Sequence, residues 1–311
     1  MKRFTIIYLM LAGIILSGCE SSPKGMVLVP GGNFTMGSNK VDTNQHALKV
    51  GLNKPWYADE SPSLKLYLKD FYISENIPSP ISKTDYFQDI SKQELDNKYN
   101  GSENVVAFIQ GSEKPNEILI VSAHLDHEGM DENGNIYYGA DDDGSGTVAA
   151  LEIAEAFMLA KKAGKGPRRS VLIMPVSGEE KGLLGSKYYA DHPIYPLENT
   201  VANLNIDMIG RIGDFKENPN YVYLIGADRL SQELHNISEQ VNKEHIGLEL
   251  DYTFNEEDDP NRYYYRSDHY NFAKNNIPII FYFNGTHDDY HKATDTPDKI
   301  EYDLLENRSR L

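Results

Sequence analysis

Cysteine is nearly absent from this chain of 311 residues, in which Cys19 is the only one. A single cysteine excludes an intramolecular disulfide, and it excludes a zinc site built on several thiolates. Any metal ion bound within this chain must therefore be held by histidine, aspartate or glutamate side chains.

Basic residues are also in short supply. The 30 lysines and arginines are outnumbered by 47 aspartates and glutamates, which leaves a formal net charge of −17. Because nucleic-acid binding needs a basic face, this balance argues against a nucleic-acid partner. Hydrophobic residues make up 40% of the chain, which is ordinary for a globular protein with a buried core.

The N-terminus carries a short apolar run at residues 4–16, which follows Lys2 and Arg3 and precedes the tetrapeptide LSGC. The run is too short for a comfortable membrane span, and its charged start is typical of an export signal. Its ending resembles a bacterial lipobox. That resemblance implies that residues 1–19 are a lipoprotein signal peptide and that the exported protein is held at the cell envelope by a lipid on Cys19. A plain signal peptide or an uncleaved anchor is the alternative.

Residues 20–91 are rich in Gly, Pro, Ser and Asn and lack long periodic runs. Within them the stretch GMVLVPGGNFTMGS, residues 25–38, resembles the opening of formylglycine-generating (sulfatase-modifying) enzymes. The similarity covers only the first part of such a domain, and no cysteine is present for that family's oxidation chemistry. We expect a separate N-terminal segment that serves either as a spacer or as a small strand-rich docking piece.

From residue 92 to residue 311, strand-like apolar runs alternate with segments of helical spacing. Predicted strands cover residues 104–109, 117–123, 170–176, 201–206, 221–225 and 278–283. Predicted helices cover residues 148–163, 182–191 and 230–245, and another begins to form at 300–307. This alternation indicates an α/β domain whose sheet is covered by helices on both faces.

Acidic and imidazole side chains fall at or just past the ends of these predicted strands. They are His124, Asp141, Glu180, Asp207 and His291. Functional sites of open α/β sheets lie at the carboxyl ends of the strands, so these side chains are expected to meet. Oxygen and nitrogen ligands of this kind suit divalent metals, and five ligands suffice for two ions if one carboxylate bridges them.

Five motifs follow one another in this part of the chain: HLDH at 124–127, GADDDGSG at 139–146, SGEEKG at 177–182, NIDMIG at 205–210 and YHKATDT at 290–296. Together they resemble the co-catalytic di-zinc aminopeptidases, the family of bacterial leucyl aminopeptidases that also includes glutamate carboxypeptidase. The resemblance runs from about residue 104 to residue 311. It implies a zinc-exopeptidase-like, three-layer α/β/α fold with a central mixed, largely parallel sheet. Members of the family usually end in a longer helix than this chain does.

The resemblance also implies roles for individual residues. One zinc ion is held by His124 and Asp207, the other by Glu180 and His291, with Asp141 as the bridge; other divalent metals are possible. Glu179 is the general base, and Asp126 orients His124. The implied reaction is the hydrolysis of N-terminal peptide bonds, in peptides with a free amino terminus, by a water that the two zinc ions activate. Three further histidines are left without a catalytic role: His127, His269 and His287, the last of which competes with His291 as a ligand.

Other functions stay open. A carboxypeptidase on the same scaffold would need a basic residue for the substrate carboxylate, and Arg211 and Arg266 are candidates. A glutaminyl cyclase would use one metal, which the full ligand set disfavours. A non-catalytic surface binding module is a third possibility. No pattern in the sequence indicates the oligomeric state.

Overall fold

The computed structural model describes residues 26–29, 32–36, 64–68, 71–74, 79–81, 86–95, 99, 101–214 and 216–311. The predicted signal peptide, residues 1–19, lies outside these residues, as does most of the segment 20–91. In that segment β1 (Met26–Val29) pairs with β4 (Phe71–Ser74), and β2 (Gly32–Met36) pairs with β3 (Leu64–Leu68), both antiparallel. Among the described residues, no helix has the length and apolar character needed to cross a membrane.

Twelve further strands follow in chain order in the described part of the chain. They are β5 (Ser79–Pro80), β6 (Phe87–Ile90), β7 (Ser102–Val105), β8 (Ala107–Ile109), β9 (Lys114–His124), β10 (Gly129–Met130), β11 (Ile136–Tyr137), β12 (Arg169–Val176), β13 (Thr200–Ile206), β14 (Tyr221–Ile225), β15 (Glu249–Asp251) and β16 (Ile279–Phe283). Eight of them form one sheet in the order β15-β14-β16-β13-β9-β12-β8-β5.

The centre of this sheet is parallel and its edges are mixed. β9 is parallel to both β12 and β13, and β13 is parallel to β16. β8 is antiparallel to β12, and β14 is antiparallel to β16. Seven of the eight residues of β12 are buried, as expected for a strand covered on both faces. The predicted mixed, largely parallel sheet is confirmed.

Among the residues that the structure describes, five α-helices cover the two faces of the sheet. They are α1 (Gly146–Lys162), α2 (Leu184–Asp191), α3 (Gln232–Val241), α4 (His269–Ala273) and α5 (Tyr302–Ser309). α1, α3 and α5 pack on one face, and α2 and α4 pack on the other. The three-layer α/β/α arrangement is therefore also confirmed.

The two faces of β9 show why both helix layers form. Val121 points into a core with Ala149 and Ala150 of α1. Its neighbour Ile120 points to the opposite core, which contains Phe272 of α4. Successive side chains of a strand alternate between faces, so an apolar run such as Ile118 to Val121 needs a cover on each side.

Several strands and helices have other boundaries in the structure than those predicted. The predicted strand at residues 104–109 is two strands, because β7 pairs with β6 whereas β8 pairs with β12. The predicted helix at 230–245 is α3 followed by a wider π-helical turn at Asn242–Ile246. The last predicted helix forms as α5, and its Leu305 is buried against α1 and the sheet.

Candidate active site

The carboxyl ends of three neighbouring parallel strands bring the predicted site residues together. His124 is the last residue of β9 and lies opposite Val176, the last residue of β12. Asp207 follows the end of β13, which is parallel to β9 on its other side. Glu180 comes four residues after β12, in a turn that Gly178 opens with a positive φ of 73°. The strand register therefore places these side chains at one edge of the sheet.

The carboxylate of Asp142 lies between two imidazoles at this edge. Its Oδ1 atom is 3.1 Å from Nε2 of His124, and its Oδ2 atom is 3.1 Å from Nε2 of His291. Nε2 of His124 is also 3.7 Å from Oδ1 of Asp207. Nε2 of His291 is 3.3 Å from Oε2 of Glu180. The Asp142 carboxylate therefore lies between two pairs of donors. One pair is His124 with Asp207, and the other is His291 with Glu180.

We refer to His124, His127, Asp142, Glu180, Asp207 and His291 as the Asp142 cluster. Within the described part of the chain, several of its buried atoms make no hydrogen bond, among them His124 Nε2, Asp142 Oδ2 and Glu180 Oε1. Buried polar atoms are normally hydrogen-bonded, so an unpartnered group of them needs another partner. Two donors that are each about 2.0–2.1 Å from one tetrahedral zinc lie roughly 3.3 Å apart. The contacts of the cluster have this spacing, and its donor types fit zinc.

Asp141 lies outside this cluster, although the family resemblance of the motifs implied that Asp141 is the bridge. Its Oδ1 atom accepts a hydrogen bond from the amide of Gly210 at 2.6 Å, and its Oδ2 atom lies 3.0 Å from Nε2 of His287. The aspartates occupy the turn Ala140–Ser145, in which Asp142 (φ −105°, ψ 90°) and Asp143 (φ −124°, ψ 42°) depart from helical geometry, so that consecutive side chains point in different directions. The structure therefore puts Asp142, one residue later, where Asp141 was expected. A cis peptide bond joins Asp142 to Asp143 in this turn.

The third aspartate, Asp143, is tied to the backbone. Its carboxylate accepts hydrogen bonds from the amides of His124 at 3.0 Å, Gly146 at 3.0 Å and Met208 at 3.1 Å. Asp143 lies near enough to His124 and Asp207 to complete a metal-binding group. Because its oxygens are already occupied by three N–H donors, it instead joins β9, α1 and the loop after β13.

His124 is oriented by Asp126, but mainly through the backbone. Nδ1 of His124 lies 2.9 Å from the main-chain carbonyl oxygen of Asp126, whereas the carboxylate is 3.7 Å away. That carboxylate accepts a hydrogen bond from the amide of Glu179 at 3.2 Å. Such contacts to the second ring nitrogen set the tautomer and orientation of a ligand histidine. Asp126 therefore positions both His124 and the turn that carries Glu179.

Glu179 lines a cleft together with Asp142, Asp207 and His291. Burial raises the pKa of the Glu179 carboxyl well above its usual range; nearby His124 lowers it, and the carboxylate of Asp207 raises it further. A carboxylate with a raised pKa is a better proton acceptor near neutral pH. The structure therefore places Glu179 in the cleft and Glu180 in the Asp142 cluster.

The remaining candidates occupy different places. His287 contacts Asp141, and His269 is fully buried with Nε2 2.8 Å from the carbonyl oxygen of Tyr264. Arg211 pairs with Asp289 at 3.2 Å. Arg266 lines the cleft, where its guanidinium lies over the ring of Tyr263 and donates to the hydroxyl of Tyr290.

Two members of the cluster were missed by sequence reasoning. Asp142 was not among the predicted ligands, and His127 was left without a catalytic role. The three consecutive aspartates give no sequence signal that separates one from the next. For His127 a signal existed, since the spacing HxxH places a second imidazole one short turn after His124.

Comparison with known proteins identifies the domain. The family model described as Peptidase family M28 matches residues 104–311. A probable zinc metalloprotease of Leptosphaeria maculans is 37% identical over 109 residues, which are 34% of this chain and 24% of that protein. Carboxypeptidase Q of Xenopus laevis is 36% identical over 115 residues, which are 37% of this chain and 22% of that protein.

A solved zinc aminopeptidase from Bacillus subtilis has the same fold, with a TM-score of 0.52 and 23% identity. The comparison covers 68% of this chain and 48% of that one, so the shared part is about half of the solved protein. The family match begins at residue 104, and the similarity of residues 25–38 to formylglycine-generating enzymes finds no support in it. Because a model of the family matches most of the chain at the residues that form the site, the chain belongs to peptidase family M28.

Proposed function

We propose that this protein is a zinc-dependent exopeptidase that removes N-terminal residues from peptides. The observation that carries the proposal is the Asp142 cluster, in which buried donors without hydrogen-bond partners surround one shared carboxylate beside Glu179. We assign His124 and Asp207 to one metal position, Glu180 and His291 to the other, and Asp142 to the bridge. Zinc ions bound there would polarise the scissile carbonyl group and acidify a water molecule.

The residues of the chain supply the proton transfers. Glu179 lies in the cleft, outside the assigned ligand set, and can accept a proton from the attacking water. The same carboxyl group can then donate this proton to the leaving amine, as a general base that becomes a general acid does. The amide of Glu179 is held by Asp126, which also positions His124. One side chain thus couples the position of the base to the position of a metal ligand.

The charge around the cleft favours a substrate amine over a substrate carboxylate. The carboxylates of Asp142, Glu179 and Asp207 line the cleft. Glu128 lies beside Glu180, and it pairs with Lys181 at 3.3 Å. Arg266, the cation of the cleft lining, is already engaged with Tyr263 and Tyr290. Acidic side chains attract a protonated amino terminus, so the acidic lining of the cleft supports an aminopeptidase. The name of the Bacillus subtilis aminopeptidase agrees with this choice.

A carboxypeptidase is the second candidate, and Arg266 is the observation that favours it. If Arg266 turned from Tyr290 toward the cleft, its guanidinium could pair with a terminal carboxylate. Carboxypeptidase Q of Xenopus laevis is among the relatives, which agrees with this possibility. The two candidates share the metal cluster and differ only in which end of the peptide enters the cleft.

Substrate hydrolysis separates these candidates. Aminoacyl substrates with a free amine are compared with N-acetylated peptides that have a free carboxyl end, using zinc-loaded wild type and Arg266→Gln. An aminopeptidase cleaves only the first group and keeps most of its activity in the variant. Cleavage of the acetylated peptides from their carboxyl end, lost in Arg266→Gln, would establish the carboxypeptidase. A wild type that binds no zinc and cleaves neither group would leave only a binding module.

We also propose that residues 1–19 direct export, that Cys19 carries a lipid, and that the part of residues 20–91 that precedes β5 forms a segment separate from the peptidase domain. β5 and β6 themselves pair with strands of that domain, so the boundary predicted at residue 91 lies too late. The charged start, the short apolar run and the LSGC ending support the first two points. Cell fractionation of wild type and Cys19→Ala tests them. We expect the variant to leave the membrane fraction, and an unchanged distribution would refute the anchor.

A further inference from the structure

His127 is a member of the Asp142 cluster that the assigned ligand set does not use. Its side chain is only 7% exposed. Nδ1 of His127 lies 2.9 Å from Oε1 of Glu180 and 3.9 Å from Oδ2 of Asp142. Neither of its ring nitrogens makes a hydrogen bond with any residue that the structure describes. Burying an imidazole without a partner is unfavourable, so this position calls for a partner that the surrounding protein atoms do not supply.

Two imidazoles approach the carboxylate of Glu180, as expected for ligands of one metal ion. His127 approaches Oε1 of Glu180, whereas His291 approaches Oε2. The two rings meet edge to face with their centroids 5.7 Å apart. His127, Asp142 and Glu180 each present one donor atom, and these atoms lie within 4.8 Å of one another. Since two ligands of a tetrahedral zinc are roughly 3.3 Å apart, a single ion could contact all of them.

The local backbone makes room for this imidazole. Gly139 has a positive φ of 59°, and a Cβ atom there would lie 2.5 Å from Cγ of His127 and 2.3 Å from the carbonyl oxygen of Asp142. Only glycine allows the turn that carries Asp142 to approach His127 this closely. The ring is therefore held against the same turn that presents the shared carboxylate.

We propose that His127 is a further metal ligand, at the position held by Glu180 and His291. The inference rests on the proposed function, because it assumes that the cluster binds two metal ions. It makes the two positions unequal: one has a single imidazole, from His124, and the other has two, from His127 and His291. Imidazole suits zinc, cobalt and nickel better than it suits magnesium or manganese, so the second position selects more strongly for the former metals.

A purely structural role for His127 predicts a smaller number of imidazoles bound to metal. If the ring only oriented Glu180 through a hydrogen bond, its N–H would point at the carboxylate, and the number of imidazoles bound to metal would not include it. The close approach to Oε1 of Glu180 lacks hydrogen-bond geometry. The decisive quantity is therefore the number of imidazoles that contact metal.

X-ray absorption of the zinc-loaded full-length protein counts these ligands directly. We expect three imidazoles shared between two zinc ions in the wild type, and two in His127→Gln. The exposed histidine variant His245→Gln is the matched control and should keep three. Two imidazoles in a wild type that binds two zinc ions would overturn the inference and leave the proposed function intact. A wild type that binds no zinc would overturn both.

Affinity provides a second test that does not depend on activity. Each protein is stripped with a chelator and titrated with Co²⁺ alone, with binding followed by calorimetry and by the visible spectrum. We expect His127→Gln to lose at least about tenfold in affinity at one of two sites and to change the cobalt spectrum. If that variant unfolds, His127→Asp decides, because a carboxylate ligand should recover binding with an altered spectrum. Affinities within twofold of wild type in a folded His127 variant would refute the proposal.

Discussion

Two buried polar clusters of this protein differ in how well their atoms are partnered. Arg308 of α5 is 4% exposed, and its guanidinium donates to four main-chain carbonyl oxygens: those of Ile209, Arg211, Pro219 and Tyr221. We call this group the Arg308 cluster. In the Asp142 cluster, by contrast, several buried nitrogen and oxygen atoms have no hydrogen bond.

This difference indicates that the Arg308 cluster contributes to stability, whereas the Asp142 cluster is suited to binding metal. The Arg308 cluster is complete within the chain, and it ties α5 to the loop that follows Asp207. Burial lowers the pKa of Arg308 to about 10, so the guanidinium remains charged at neutral pH. The Asp142 cluster contains buried atoms for which the described protein provides no hydrogen-bond partner, as expected for a site that binds an ion. Mutations should therefore affect stability at the first cluster and metal binding at the second.

The largest effect is expected for Asp142→Ala. Removal of the shared carboxylate should lower the bound zinc below two ions per chain and reduce kcat/KM by about 10³-fold or more, because metal ions contribute several kcal/mol to transition-state stabilisation. Metal analysis and peptide hydrolysis measure both effects. The matched variant Asp141→Asn should keep two zinc ions. If Asp141→Asn loses zinc and Asp142→Ala keeps it, Asp141 is the bridge.

Glu179→Gln should separate chemistry from metal binding within the same cleft. We expect a fall in kcat of about 10²–10⁴-fold, the usual contribution of general acid–base catalysis, with two zinc ions retained. Kinetics and metal analysis are carried out beside Glu198→Gln, an exposed glutamate at the opposite end of β13. Unchanged kcat in the first variant would remove Glu179 from the mechanism.

Arg308→Leu should affect stability alone. The substitution removes one donor from each of four main-chain carbonyl groups, of which that of Tyr221 keeps a second donor, the side-chain amide of Asn284. The free energy of unfolding should therefore fall by about 3 kcal/mol. Chemical denaturation measures this loss. Arg310→Leu removes an exposed pair with Glu306 and should change stability by less than about 1 kcal/mol. Folded Arg308→Leu should still bind two zinc ions, and selective loss of metal from it would contradict the division between the clusters.

His269 is intermediate between the two clusters in its hydrogen bonding, because only one of its ring nitrogens has a partner among the described residues. Its substitution should have the smallest effect on stability at neutral pH. One ring nitrogen contacts the carbonyl oxygen of Tyr264, whereas Nδ1 is buried without a partner. Burial lowers the pKa of His269 to about 3, below the ordinary value of 6.5. The unfolded chain therefore binds a proton that the folded protein excludes, and stability falls as the pH drops below about 6.5.

The expected slope from His269 is about 1.4 kcal/mol per pH unit between about pH 6 and pH 3. His269→Gln keeps a donor for Tyr264 but cannot titrate, so this part of the acid sensitivity should disappear. Denaturation at pH 7, 5.5 and 4.5 tests the prediction, with His245→Gln as the exposed control. Equal pH dependence in wild type and His269→Gln would show that another group causes the acid sensitivity.

The apolar runs were sufficient to predict the central strands. Ile118 to Val121 lies within β9, and residues 221–225 coincide with β14, because a strand covered on both faces must be apolar at nearly every position. The edge of the sheet was less predictable. β5 and β15 are short and partly exposed, and their places depend on pairing with β8 and β14 rather than on local pattern.

The order of the motifs determined which segments meet at the candidate site and which ligand types they offer. Three of these segments, HLDH, SGEEKG and NIDMIG, lie at the ends of β9, β12 and β13, and parallel strands place their carboxyl ends at one edge of the sheet. Only the tertiary structure decided which of three consecutive aspartates faces the histidines, and that His127 joins them. That choice depends on the path of one tight turn and on its contacts with Gly210 and His287, which are distant in sequence.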